Sequence, residues 1–135
     1  MADYDDFFFI KTDANGDRLV IHTNIKITDD HLVRAGEIEG VEYVWTGSHL
    51  LGIIGKNPIK PMLVAKVLIN CFSFSRWFIS GDLAREVRNQ CYAVQRARYE
   101  KHRSEAVLAR DGDQVLKYHA LLEELLENES VIRLV

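Results

Sequence analysis

Covalent or metal chemistry in this 135-residue chain would fall first to its two cysteines and five histidines. Cys71 and Cys91 stand twenty residues apart with no Cys-x-x-Cys pair, which is neither a disulfide framework nor a zinc signature. A thiol nucleophile needs a neighbouring base to form thiolate and an acceptor to orient that base. None of His22, His31, His49, His102 and His119 sits in a motif beside a cysteine, and both cysteines fall on apolar helical positions where a thiol acts as core filler. The histidines are scattered singly, and Asp30 beside His31 would splay away from it on a helix, so no metal-ligand set forms. Gly52-x-x-Gly55 lacks the Gly-x-x-x-x-Gly-Lys-Ser/Thr pattern of a phosphate loop and reads as strand irregularity or close backbone approach. No catalytic residue, metal ligand or cofactor site is assigned, and a non-enzymatic role is expected.

Two constellations point to contact rather than catalysis. Advancing each residue by 100° from Leu83 places Arg85, Arg88, Tyr92, Arg96, Tyr99 and Arg103 between about 140° and 220°, opposite Leu83, Val87, Cys91 and Val94. Planar guanidinium forks interleaved with tyrosine faces suit phosphate, carboxylate or base stacking. The bland reading is a solvated face with Arg and Tyr stems packed along the helix. The second constellation is Phe72, Phe74, Trp77 and Phe78, dense enough to leave an exposed patch in which Phe74 and Trp77 meet a partner. Its bland reading is a hinge core between the sheet and the helices.

These residues need elements to position them. Asn15-Gly16 supplies the positive φ of a tight turn between the β-prone runs Phe7 to Ile10 and Leu19 to Ile21, which predicts a hairpin. Thr28-Asp29-Asp30 caps a short helix over His31 to Ile38 that Gly40 ends. A second hairpin joins Val41 to Thr46 with Leu50 to Gly55. Asn57-Pro58 and Lys60-Pro61 open a helix that runs almost wholly apolar from Met62 to Cys71 and is expected to lie buried across the sheet. No geometry follows from the pattern for residues 72 to 79. Ser80-Gly81-Asp82 should start a long helix to about Ala109, and a last amphipathic helix runs from Asp113 to about Asn128. The strand-like Val131 to Val135 either pairs with a sheet edge or packs under a helix. The expected fold is α+β, one domain: a four-stranded, mainly antiparallel sheet from two hairpins with covering helices in residues 1–72, and a helical half in 73–135.

Composition and charge narrow the function classes. With 47% hydrophobic and 27% charged residues the chain is an ordinary globular domain, able to build a core without disulfides or a structural metal. No apolar run approaches the ~18 residues of a membrane span, and the acidic start Met1-Ala2-Asp3-Tyr4-Asp5-Asp6 lacks a signal peptide's basic region, so a cytoplasmic, reducing address is expected. The net charge of -3 is unevenly spread. Residues 76–110 carry eight Arg or Lys against four acids, whereas 1–30 and 111–135 are both acidic.

The segment Phe8 to Phe72 resembles the N-terminal domain of NifU/Nfu-type iron-sulfur scaffold proteins. The likeness rests on Phe9-Ile10-Lys11-Thr12, on Ile38-Glu39-Gly40-Val41-x-x-Val44-x-x-Gly47, on the strand Leu50-Leu51-Gly52-Ile53-Ile54, and on the apolar helix after it. It covers about half the chain and implies a fold. In that family a separate domain with paired cysteines carries the cluster, and this chain has no such pair, so no functional residue follows from the likeness.

The expected function is a small, non-catalytic binding protein, an inhibitor or adaptor that occupies a surface of a larger protein, of the kind mobile elements encode. Its contacts would be the Arg/Tyr helix and the aromatic bend. The alternative is a nucleic-acid-binding module using the basic helix, which the acidic ends would oppose unless the fold points them away. An iron-sulfur assembly accessory follows from the resemblance alone. Leu121, Leu122, Leu125, Leu126 and the apolar tail also predict a homo-oligomer.

Overall fold

The computed structural model describes residues 6–56, 58–74, 76–127 and 131–134. The acidic start before Asp6, Asn57 of the helix entry, the helix end at Asn128 and the terminal Val135 lie outside them, as does the Leu126 side chain. In chain order the elements are β1 (Asp6–Thr12), β2 (Arg18–Thr23), α1 (Asp29–Gly36), β3 (Val41–Gly47), β4 (Leu50–Gly55), α2 (Pro61–Cys71), β5 (Trp77–Gly81), α3 (Ala84–Leu108), α4 (Gly112–Glu127) and β6 (Ile132–Leu134).

The two hairpins form as their local chemistry directs. Gly16 takes φ +78° and its N–H donates to the Asp13 carbonyl at 3.0 Å, closing the first turn. Thr28 N–H donates to His31 Nδ1 at 2.9 Å at the start of α1, and the His31 ring stacks on Phe72 at 4.9 Å. Pro61 opens α2, which buries Val64, Ala65, Val67, Leu68 and Ile69.

The sheet departs from the expected four strands. It has six, in the order β3-β4-β2-β1-β5-β6, and it is mixed. β5 lies parallel to β1, with Phe7 opposite Phe78, and β6 lies parallel to β5, with Trp77 opposite Ile132. The aromatic bend thus contains a strand. Trp77 and Ile79 face the core while Phe78 and Ser80 face away, a period of two that the surrounding aromatics disguise in the sequence. The terminal segment pairs with a sheet edge.

Parallel neighbours require crossover connections, and α2 and α3 with α4 supply them. The helices gather on one face. There Phe8, Ile10, Leu19, Ile21, Leu51, Ile53, Trp77, Ile79 and Ile132 meet Val64, Leu68, Val87 and Cys91 in a continuous core. α3 packs on α2, and α4 packs on α3.

The link from β5 into α3 is tightly made. Gly81 takes φ +91°, and a Cβ there would collide with the Ile10 carbonyl oxygen. The Asp82 carboxylate then accepts from Thr12 N–H at 2.9 Å and from its hydroxyl at 3.0 Å. These bonds hold the Asp82 carboxyl below its ordinary value. The helix begins two residues later than the sequence suggests, at Ala84, because Leu83 takes φ 60° before it.

Candidate functional site

The face of the sheet opposite the helices is where the structure gathers exposed chemistry. Strand register puts Phe7 and Phe9 of β1 on it, exposed by 49% and 45%, beside Phe78 of β5 and His22 of β2. The Phe7 and Phe78 rings stack at 5.0 Å and 14°, and the Phe9 and His22 rings lie 6.1 Å apart. Tyr43 and Trp45 of β3 continue the surface toward the edge strand, Tyr43 being 61% exposed. Trp45 lies across Gly52, for a Cβ at residue 52 would fall inside the indole. Glycine there seats the ring flat on the sheet.

Basic groups frame these rings. Lys11 pairs with Val20, Val20 with Gly52, and Gly52 with Trp45, so a single row across four strands runs from an ammonium to an indole. Arg18 lies at the same end and Arg133 pairs with Phe78 at the other. No ladder-paired position on this face carries a carboxylate; Glu42 sits at the bulge between Val41 and Tyr43, and the Asp82 carboxylate, bonded to Thr12, lies near enough to Lys11 to feel its charge. Lys11, Asp13, Arg18, Val20, His22 and Trp45 line a shallow depression of about 460 Å³.

The residues singled out from sequence are distributed differently. Tyr92 accepts a hydrogen bond from the Ile132 N–H at 3.0 Å, which ties α3 to β6. Tyr99 lies 6.2 Å from Tyr118 of α4 and lines a crevice with Phe74, Leu121 and Leu125. Arg88 and Arg103 are half-buried, and Arg85 and Arg96 are exposed. The Arg/Tyr stripe is thus split, because β6 meets α3 at Tyr92 and α4 packs on it beside Tyr99. Ala106, buried at the turn from α3 into α4, was the available signal that a second element packs there.

The aromatic bend divides: Phe72 and Trp77 are core, while Phe78 turns to the opposite face of the sheet. Trp77 is 1% exposed, packs edge-on to Phe8 at 5.2 Å, and donates its indole N–H to the Ser73 carbonyl at 3.1 Å. Phe74 is half-buried against it at 5.3 Å. Trp77 therefore offers no surface to a partner. The apolar residues assigned to self-association are partly accounted for within the chain, as Leu122, Leu125 and Ile132 are buried.

Burial pushes the Cys91 thiol up to about 12 and the Cys71 thiol up to about 11, the latter lowered somewhat by the Arg34 charge and raised further by that of Asp30. Cys71 donates to the His31 carbonyl at 3.6 Å. Both are protonated at neutral pH, the unreactive state of a thiol. Among the described residues no three His, Cys, Asp or Glu side chains gather as a metal site. His102 stacks on Tyr118 at 5.2 Å and His119 lies 3.0 Å from Glu123. No described helix is long and apolar enough to cross a membrane. Comparison of the chain with protein-family models, with curated proteins and with solved structures finds no match.

Proposed function

We propose that this chain is a non-catalytic binding module whose contact surface is the open face of its sheet. The observation that carries this is the pair Phe7 and Phe9, about half exposed in the middle of a six-stranded sheet, flanked by rings on both sides. Large aromatics displayed together on an uncovered face mark a site that exchanges water for a partner. The protonated, enclosed thiols support occupancy rather than covalent chemistry as its mode of action.

A second reading keeps a larger protein as partner and α3 as the handle, through Arg85 and Arg96, which remain exposed. A photo-crosslinking residue placed at position 9, and separately at position 96, distinguishes the two in the native cell. Discrete adducts from position 9 with few from position 96 are the expected result. The reverse pattern would move the contact surface to α3, and silence at both positions would remove both readings.

A further inference from the structure

Resting on the open face as the contact surface, we infer that its ligand is single-stranded nucleic acid, with bases on the rings and phosphates on Lys11, Arg18 and Arg133. Every base has a π-face that stacks on an aromatic side chain, and every linkage carries a negative charge, so an aromatic platform framed by cations fits this polymer. The spacing also fits. Phe7 and Phe9 project from one strand two residues apart, about 6.6 Å, roughly twice the ~3.4 Å step between bases. Each of the ring pairs Phe7/Phe78 and Phe9/His22 thus has room for its own base, and Trp45 offers a third plane over Gly52.

Competing occupants fit less well. A second copy docked face to face about a two-fold axis would set a field of Lys11, Arg18 and Arg133 against its own image. A duplex hides the base faces that the rings would stack on. An acidic peptide would satisfy the cations and leave the rings without planar partners. The acids of α4, Asp113, Glu123 and Glu124, sit on a helix that packs against α3, behind the sheet from this face. The fold therefore points that acidic segment away from a polyanion.

The test uses the full chain and a fluorescein-labelled single strand of roughly 12 nucleotides, as RNA and as DNA, with the matching duplex as competitor. Anisotropy should show single strands preferred over duplex, with a log-log salt slope of about -2 for three phosphate contacts. Phe9→Ala should weaken binding about tenfold, the scale of one lost base stack. Lys11→Glu with Arg18→Glu should weaken it further and flatten the slope, and this pair decides the matter if Phe9→Ala does not fold. Arg85→Ala with Arg96→Ala should change nothing. Absence of binding at low salt, duplex preference, indifference to both face variants, or loss on the α3 variant would each overturn the inference. A position-9 crosslink that resists nuclease and yields to protease would also overturn it while leaving the open face as the contact surface.

Discussion

The two faces of the sheet are built from alternate residues of the same strands, yet they obey different constraints. In β1 the sequence Phe7-Phe8-Phe9 sends Phe8 into the core at 1% exposure and its neighbours out at 49% and 45%. The same residue type serves cohesion on one side and display on the other. On the covered face, size and shape are fixed by α2 and α3; on the open face only the ladder and the neighbouring rings constrain a side chain. Packing energy and binding chemistry are therefore separable in this fold by a one-residue step.

That separation predicts effects of graded size. Leu68→Ala and Trp77→Ala, both on the covered side and at most 1% exposed, should each cost about 2 to 5 kcal/mol in chemical denaturation. A midpoint close to that of the parent would mean that the covered face is not the seat of stability. Gly52→Ala should cost about 1 to 3 kcal/mol by forcing the Trp45 indole off its seat, and the tryptophan emission should shift with it. An unchanged emission spectrum would show that the ring does not lie across residue 52.

Phe9→Ser should alter stability by no more than about 1 kcal/mol, the span of strand propensity at a half-exposed position. A loss as large as that of Leu68→Ala would erase the distinction between the faces. The smallest effect concerns acid. Asp82 has its pKa depressed in the fold by the Thr12 hydrogen bonds, so its contribution is present above the unfolded value of about 3.9 and is lost as pH falls through the folded value. Asp82→Asn should remove that part of the acid limb in a stability-pH curve, and an unaltered limb would show that the Thr12 bonds do not bind preferentially to the charged form.

How much of this was legible in the sequence depended on how far apart the interacting residues lie. The hairpins were legible because Asn15-Gly16 and the strands it joins are neighbours, and α2 was legible because its apolar run states its own burial. β5 was hidden, since its partner is β1 and its alternation sits inside the run from Phe72 to Ile79. The open face was hidden for a related reason: three consecutive phenylalanines carry no polarity contrast from which to read a period of two. For α3, a helical wheel sorts residues by angle but says nothing of what lies against each angle. Tyr92 and Tyr99 belong together on it, and Ile132 and Tyr118 are what they meet.

The clasp between Thr12 and Asp82 spans 70 residues, and that distance has a kinetic meaning. Each hairpin closes over a short turn, whereas seating β5 beside β1 requires a long stretch of chain to return, at a higher cost in loop entropy. The parallel edge is thus expected to form late in folding. Contacts made after the rate-limiting barrier govern how slowly a molecule comes apart rather than how quickly it assembles. On that expectation Gly81→Ala should speed loss of the native state in the unfolding arm of a stopped-flow experiment while refolding proceeds at nearly its original rate, and a slowed refolding arm would mean that the parallel edge forms early.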